Sequence, residues 1–199
     1  MAVILYSPAS PYSAKVRMAA LWCGLDIEAR IVSTTDQPAD LVAANPLGKI
    51  PVLVTDEGEG IFDSRVITQH LNRVSGGALF PRKAERRLQT ERLEALSDGI
   101  CDCLLAHVYE RRMRPAEKVH QPWLDAQWQK AMRGLDLLES SPPKLAKKAD
   151  GGQIALRATL GYLALRFAGQ WERGRPKLKR WAKRFDERFP ALAALTPQG

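Results

Sequence analysis

Residues Asn45–Val54, NPLGKIPVLV, carry the reading on which the fold turns. Its end has the composition of a buried strand: Ile50, Val52, Leu53 and Val54 are apolar and three of them are β-branched. Pro51 stands where that strand should begin. Proline has no N–H to give to a ladder, so it belongs at a strand's first residue, on an edge or at a bulge. The sequence therefore places a strand over PVLVT and leaves open what the N–H and C=O of Ile50 pair with.

Outward from this point the first half changes period repeatedly. Upstream, VILY reads as a short buried strand. PYSAKVRMAALWCG then reads as a helix, with Val16, Ala19, Ala20 and Cys23 on one face and Gly24 as its stop. IEARIV alternates like a strand, with Ile27, Ala29 and Ile31 on one side. A short helix is expected around Ala39 to Ala44. Downstream, PVLVT, the turn DEGEG and GIFD read as a hairpin. The helix SRVITQHLNRV is expected to turn Val66, Ile67, His70, Leu71 and Val74 inward, with His70 a core histidine rather than a catalyst. The order βαβ then ββα makes a small mixed sheet with helices over residues 1–77.

SGGALFPRK reads as a linker, and everything beyond it, residues 84–199, is helical. A long helix covers AERRLQTERLEALSDGICDCLLAHVYERR, with a bend expected near Asp98-Gly99. Leu124, Trp128, Ala131, Leu135 and Leu138 then form the stripe of a bundle helix. ESSPPKLAKKADGG is a loop, QIALRATLGYLALRF the most apolar and central helix, and PKLKRWAKRFDERF the closing one.

Composition narrows the function classes. With 45% hydrophobic and 26% charged residues, the 199-residue chain can bury a sizeable core. No apolar run approaches the roughly 18 residues of a membrane span, and MAVILYSPAS lacks the basic start of a secretory signal. Three cysteines are no disulfide framework, and without a Cys-x-x-Cys no metal site is expected. Together these features read as a cytoplasmic protein. Residues 1–80 hold six Lys/Arg and eight Asp/Glu, a net of −2; the remainder holds 24 and 14, a net of +10. The bases of that half are interleaved with acids, as in ERRLQTERLEAL, which reads as solvated helix faces rather than a nucleic-acid surface.

The residues with chemical promise lie in the first half. Ser10 precedes Pro11, a strong helix start that would turn the Ser10 hydroxyl and the first free N–H groups toward the loop above the strand. The positive end of the helix dipole there favours an anion such as a thiolate or carboxylate. Asp63-Ser64 begins a second helix after a strand, where a hydroxyl, free N–H groups and a carboxylate can hold a zwitterion. For each pair two readings stay open: a cap alone, or a cap that also binds.

Taken together, SPYS, NPLGKIPVL and FDS resemble, in order and spacing, the N-terminal thioredoxin-like domain of the glutathione S-transferase family. The helical remainder is similar to that family's C-terminal domain, and the serine-type bacterial members are the nearest in look. The resemblance implies that Pro51 is a structural cis-proline, a form found in about 5–6% of X–Pro bonds. It also implies that Ile50 pairs with the cysteinyl backbone of glutathione as an added strand would. Ser10 is then the catalytic residue beside the glutathione sulfur, Asp63 and Ser64 bind the γ-glutamyl end, and Lys49 lies near the glycyl carboxylate. Tyr12 becomes a wall of the pocket. His107, Tyr109, Arg111, Arg112 and Tyr162 are candidates for the electrophile's side. Two departures from the family pattern stand out: Asp63 where glutamate is commoner, and Asp150-Gly-Gly-Gln153 where Ser/Thr-x-x-Asp caps the core helix. Asp150 and Gln153 can still make a reciprocal capping box.

The implied activity is glutathione conjugation of a small electrophile, or a related peroxidase, reductase or isomerase reaction. Glutathione is a co-substrate, no metal is involved, and the assembly is a homodimer. The alternative is a non-catalytic binding or regulatory module on the same fold.

Overall fold

The computed structural model describes all residues, 1–199. Four short strands form one sheet: β1 (Val3–Tyr6), β2 (Glu28–Ile31), β3 (Val52–Val54) and β4 (Gly60–Ile61), in the order β2-β1-β3-β4. β1 and β2 are parallel, as the crossover through α1 (Pro11–Trp22) requires, and β3 is antiparallel to both β1 and β4. Leu5 stands opposite Val52, and Ile4 opposite Leu53. Because strand side chains alternate, Ile4 and Leu53 enter the main core while Leu5 and Val52 meet Leu41 of α2 (Ala39–Ala44) on the other face. The hairpin closes through Thr55, whose N–H donates to the Glu59 carbonyl at 2.9 Å.

The sheet is followed by α3 (Ser64–Val74) and then by an all-helical bundle: α4 (Ala84–Met113), α5 (Gln121–Ser140), α6 (Gly151–Arg166), α7 (Pro176–Arg188) and α8 (Pro190–Ala193). The architecture is thus a thioredoxin-like mixed-sheet unit joined to a helical one. α1 is shared between them, packing on α3 on one side and on α6 on the other. One apolar core runs from Ile4 and Val16 through Ile154 and Leu163 to Phe185. No helix is long and apolar enough to cross a membrane.

Three expectations change. β2 is an edge strand exposed along its whole length, and Ile31 is 62% accessible, so its alternation does not mark a buried face. In α3, Ile67 and Leu71 point inward, but Val66 and Val74 are exposed and His70 is only half-buried; the inward face is completed by Ser64, Thr68 and Asn72. These polar residues meet the chain that follows: Thr68 donates to Glu94, and Asn72 accepts from the linker. At the start of α6, Asp150 accepts from the Gln153 N–H at 2.9 Å, but the Gln153 amide does not reach back. It donates to the Lys144 carbonyl at 2.7 Å instead, tying down the preceding loop. The short α8 and a single 3₁₀ turn at Ala116–Lys118 were not anticipated.

Candidate active site

A cleft of about 780 Å³ opens between the sheet unit and the helices α4 and α6. Its sheet side is built at three places. The first is the start of α1, where Ser10 has extended backbone angles and its Oγ accepts from the Ser13 N–H at 3.2 Å. Pro11 carries no N–H, and the Ala14 N–H goes to the Ser10 carbonyl, so of this turn's donors the Tyr12 N–H is unclaimed. The hydroxyl oxygen of Ser10 is engaged as an acceptor while its hydrogen remains free to donate.

The second place is the segment before β3. The Ile50–Pro51 bond is cis, and the N–H and C=O of Ile50 have no partner inside the chain. That settles the question raised by Pro51: the strand begins after it, and one residue's backbone is turned away from the ladder. Asn45, buried and not singled out from the sequence, frames the turn. Its amide donates to the Lys49 carbonyl at 2.8 Å and its side-chain oxygen accepts from the Leu47 N–H at 3.1 Å. Gly48 has φ +59°, the left-handed region that favours glycine, and the end of the Gln37 side chain packs where a Cβ would stand.

The third place is the start of α3. Asp63 Oδ1 accepts from the N–H groups of Arg65 (3.1 Å) and Val66 (3.4 Å), which leaves its Oδ2 free. Ser64 is buried, at 4% exposure, directly behind it, and the Phe62–Asp63 bond is also cis. All the sequence-predicted residues, Ser10, Lys49, Ile50, Pro51, Asp63 and Ser64, line this one cleft.

Beneath it lies an ion cluster that joins the two units. Lys15, 1% exposed, donates to Asp98 (2.8 and 3.0 Å) and sits 3.3 Å from Glu94. Arg65 reaches the same Asp98 carboxylate at 2.9 Å. Burial holds the Glu94 carboxyl above the usual carboxylate range, against the pull of Lys15 and the Thr68 hydroxyl.

The helical side contributes Asp98, Asp102, Leu105, Val108, Tyr109, Arg112, Tyr162 and Arg166. The Tyr12 hydroxyl donates to Asp102, and burial raises its pKa, so it stays protonated and forms part of the wall. Of the electrophile-side candidates, Tyr109, Arg112 and Tyr162 line the cleft. His107 and Arg111 do not: His107 packs against Phe167 and Trp128, with ring centroids 5.5 and 6.0 Å away, and Arg111 donates to Gln121. Arg166 was missed; it is the last residue of α6, and only the packing of α6 on α4 brings it here.

No cysteine or histidine lines the cleft. Cys101 is buried against Thr159, and burial pushes its thiol up to about 12. No three His, Cys, Asp or Glu side chains converge as a metal site would need. The arrangement therefore supplies donors, a free peptide edge and, on the sheet side, the free Oδ2 of Asp63. It can hold an extended zwitterion and stabilise an anion that the ligand itself brings.

Comparison with known proteins agrees with this geometry. Residues 9–74 match the family profile of the glutathione S-transferase N-terminal domain. The chain is 36% identical over 176 residues to the uncharacterised GST-like protein YibF of Escherichia coli (strain K12), covering 85% of this chain and 86% of that protein. A glutathione S-transferase of Methylobacillus flagellatus, solved with glutathione bound, superposes with a TM-score of 0.91 at 32% identity, covering 100% of both chains. A glutathione transferase family member from Pseudomonas fluorescens Pf-5, with bound glutathione, gives 0.90 at 34% identity, again over 100% of both.

Proposed function

Since this chain belongs to the glutathione S-transferase family, we propose that it is a bacterial, serine-type glutathione transferase that activates the glutathione thiolate for attack on an electrophilic small molecule. The observation that carries this reading is the convergence of two helix starts and one unpaired peptide edge on a single cleft. Each matches one part of the tripeptide. The Ile50 N–H and C=O take the cysteinyl backbone as a strand would. The Ser64 hydroxyl and the start of α3 take the γ-glutamyl carboxylate, and Asp63 Oδ2 its ammonium. Lys49 serves the glycyl carboxylate. The sulfur then falls beside Ser10.

Activation is a matter of pKa. A thiol at about 8.5 is only ~3% ionised at pH 7, whereas at about 6.5 it is ~75% ionised. The free hydrogen of Ser10, the Tyr12 N–H and the positive end of α1 favour the thiolate, with the proton leaving to solvent. Part of the gain is offset because a less basic thiolate is a weaker nucleophile. In this reading the glutathione-binding domain is residues 1–77 and the helical domain 84–199. The protein acts in the cytoplasm as a homodimer and needs no metal.

The test is retention on immobilised glutathione with release by the free tripeptide, followed by conjugation of a panel of electrophiles. Retention and thiol-dependent conjugation are expected. A protein that neither binds glutathione nor conjugates any electrophile overturns the reading.

A further inference from the structure

Glutathione, placed as proposed above, occupies the sheet side and leaves the helical wall unassigned. Leu105 and Val108 give that wall an apolar patch. Around it stand Tyr109, Tyr162, Arg112 and Arg166. Some arginines of the helical unit are tied to carboxylates, as Arg114 is to Glu110, Arg157 to Asp186 and Arg175 to Asp136; among the unpaired ones, Arg112 and Arg166 are those that line the cleft. Arg112 and Arg166 make no ion pair and no hydrogen bond; Arg112 only lies 5.7 Å from the centre of the Tyr109 ring. Of the two carboxylates on the same wall, Asp98 is paired with Lys15 and Arg65, while Asp102 accepts from the Tyr12 hydroxyl through Oδ1 and makes no ion pair.

Arg112, Arg166 and Tyr162 line the same wall of the cleft. Burial pushes the Tyr162 hydroxyl up to about 12, so it stays protonated and able to donate. Tyr162 is 4% exposed, and its hydroxyl makes no hydrogen bond within the chain. Two unpaired cations and a free hydroxyl, beside an apolar patch, form a receptor for an anion attached to an apolar body.

We propose that Arg112, Arg166 and Tyr162 select electrophiles that carry a carboxylate on an apolar or aromatic body, the body resting on Leu105 and Val108. This rests on the transferase reading for its chemistry. With an aryl chloride as electrophile, the thiolate sulfur forms a bond to the chlorine-bearing ring carbon. Chloride leaves with the bonding pair, and the thiol proton has already gone to solvent.

The experiment compares 4-chloro-3,5-dinitrobenzoate with the corresponding carboxamide, each kcat/KM divided by the rate constant of its uncatalysed reaction with glutathione. The wild-type protein is expected to favour the carboxylate by roughly 10-fold, less at high ionic strength. In the double variant Arg112→Gln/Arg166→Gln the ratio is expected to fall to about one, the charge being gone and the residual contacts alike for both compounds. Equal wild-type values, or a preference that survives the double variant, overturn the proposal. So does an equal loss for both compounds with the ratio intact, which assigns the arginines to glutathione instead. Equilibrium dialysis with unreactive 3,5-dinitrobenzoate and 3,5-dinitrobenzamide reads the same preference without glutathione. A protein that conjugates nothing yet retains the benzoate in preference refutes the transferase reading and supports this one. A protein that conjugates both compounds but shows no preference in either assay does the reverse.

Discussion

Ser10 can serve as cap and as donor at once, because the two tasks use different atoms. Its oxygen accepts from the Ser13 N–H at 3.2 Å, and its hydrogen is left free to donate, in the proposed complex to the sulfur. Ser10→Ala is therefore expected to cost about 0.5–2 kcal/mol in stability through the cap. It should also raise the pKa of bound glutathione's thiol by roughly one to two units, since a hydrogen bond to a charged acceptor contributes about 1.5–3 kcal/mol. Thiolate absorbance against pH checks this. A thiol with a raised pKa loses its anion first at low pH, so the variant's rate deficit should be largest near about pH 6–7 and shrink above about pH 9. At the other end of the ligand, Asp63→Asn separates capping from charge. Asparagine caps about as well as aspartate, so the melting temperature should stay close to wild type. Loss of the anion opposite the γ-glutamyl ammonium should weaken glutathione by about 2- to 10-fold, read from its KM or by calorimetry.

Close approach of whole elements depends on side chains that are absent as much as on those present. α6 begins with Gly151 and Gly152, and a Cβ on Gly152 would lie 2.6 Å from the Thr90 carbonyl and 2.9 Å from Leu93 Cβ. Gly152→Ala should gain the helix propensity of alanine, about 0.8–1 kcal/mol, but force α6 off α4. Overpacking of this kind costs about 1–3 kcal/mol, so a net fall in melting temperature of a few degrees is expected by calorimetry. The sequence showed which elements exist: α1, α2, α5 and α7 lie where capping, periodicity and glycine stops place them. It did not show what each element faces. Counting apolar residues rotated α3 toward Val66 and Val74, because the polar Thr68 and Asn72 find partners only after α4 and the linker fold back. The alternation around β2 put Ile27, Ala29 and Ile31 on one side but said nothing about whether a second layer exists to cover that side, and the strand is exposed throughout. In the site, the residues on the sheet side were legible because each sits at a chain feature with a local cause: a serine cap before proline, a proline at a strand start, an aspartate cap. Asp98 and Arg166 were not, since their roles come from neighbours distant in sequence; Asn45 was not singled out either, although its partners Leu47 and Lys49 are local.

Across the molecule the two units are held by charge as well as by apolar packing. Lys15 on α1 balances Glu94 and Asp98 on α4. Lys15→Met leaves two buried carboxylates facing each other with only Arg65 on Asp98, and should cost about 3–5 kcal/mol at neutral pH. The Glu94 carboxyl already sits above its ordinary range because of burial. A raised carboxyl contributes stability at low pH that is lost as pH climbs through its folded value, and without Lys15 that value rises further. The variant's deficit should thus be smallest near about pH 4–5 and grow toward neutrality, which thermal melts across that range will show. The split of charge, −2 over residues 1–80 and +10 beyond, suits a two-fold dimer in which each sheet unit meets the partner's helices. Light scattering at micromolar concentration should give twice the 22.2 kDa chain mass. The connection between the units has a consequence of its own. Asn72 Oδ1 accepts both the Leu79 and Phe80 N–H groups, at 3.0 and 2.8 Å, and the Gly151 N–H donates to the Leu79 carbonyl at 2.8 Å. Swinging one half away from the other would break either the Asn72 pair or the Gly151 bond and uncover Leu79 and Phe80, both now 1% exposed. The joint is built as a weld rather than a hinge, so the chain is expected to melt as one cooperative body in calorimetry, with the halves staying closed on each other while ligands exchange at the cleft's mouth.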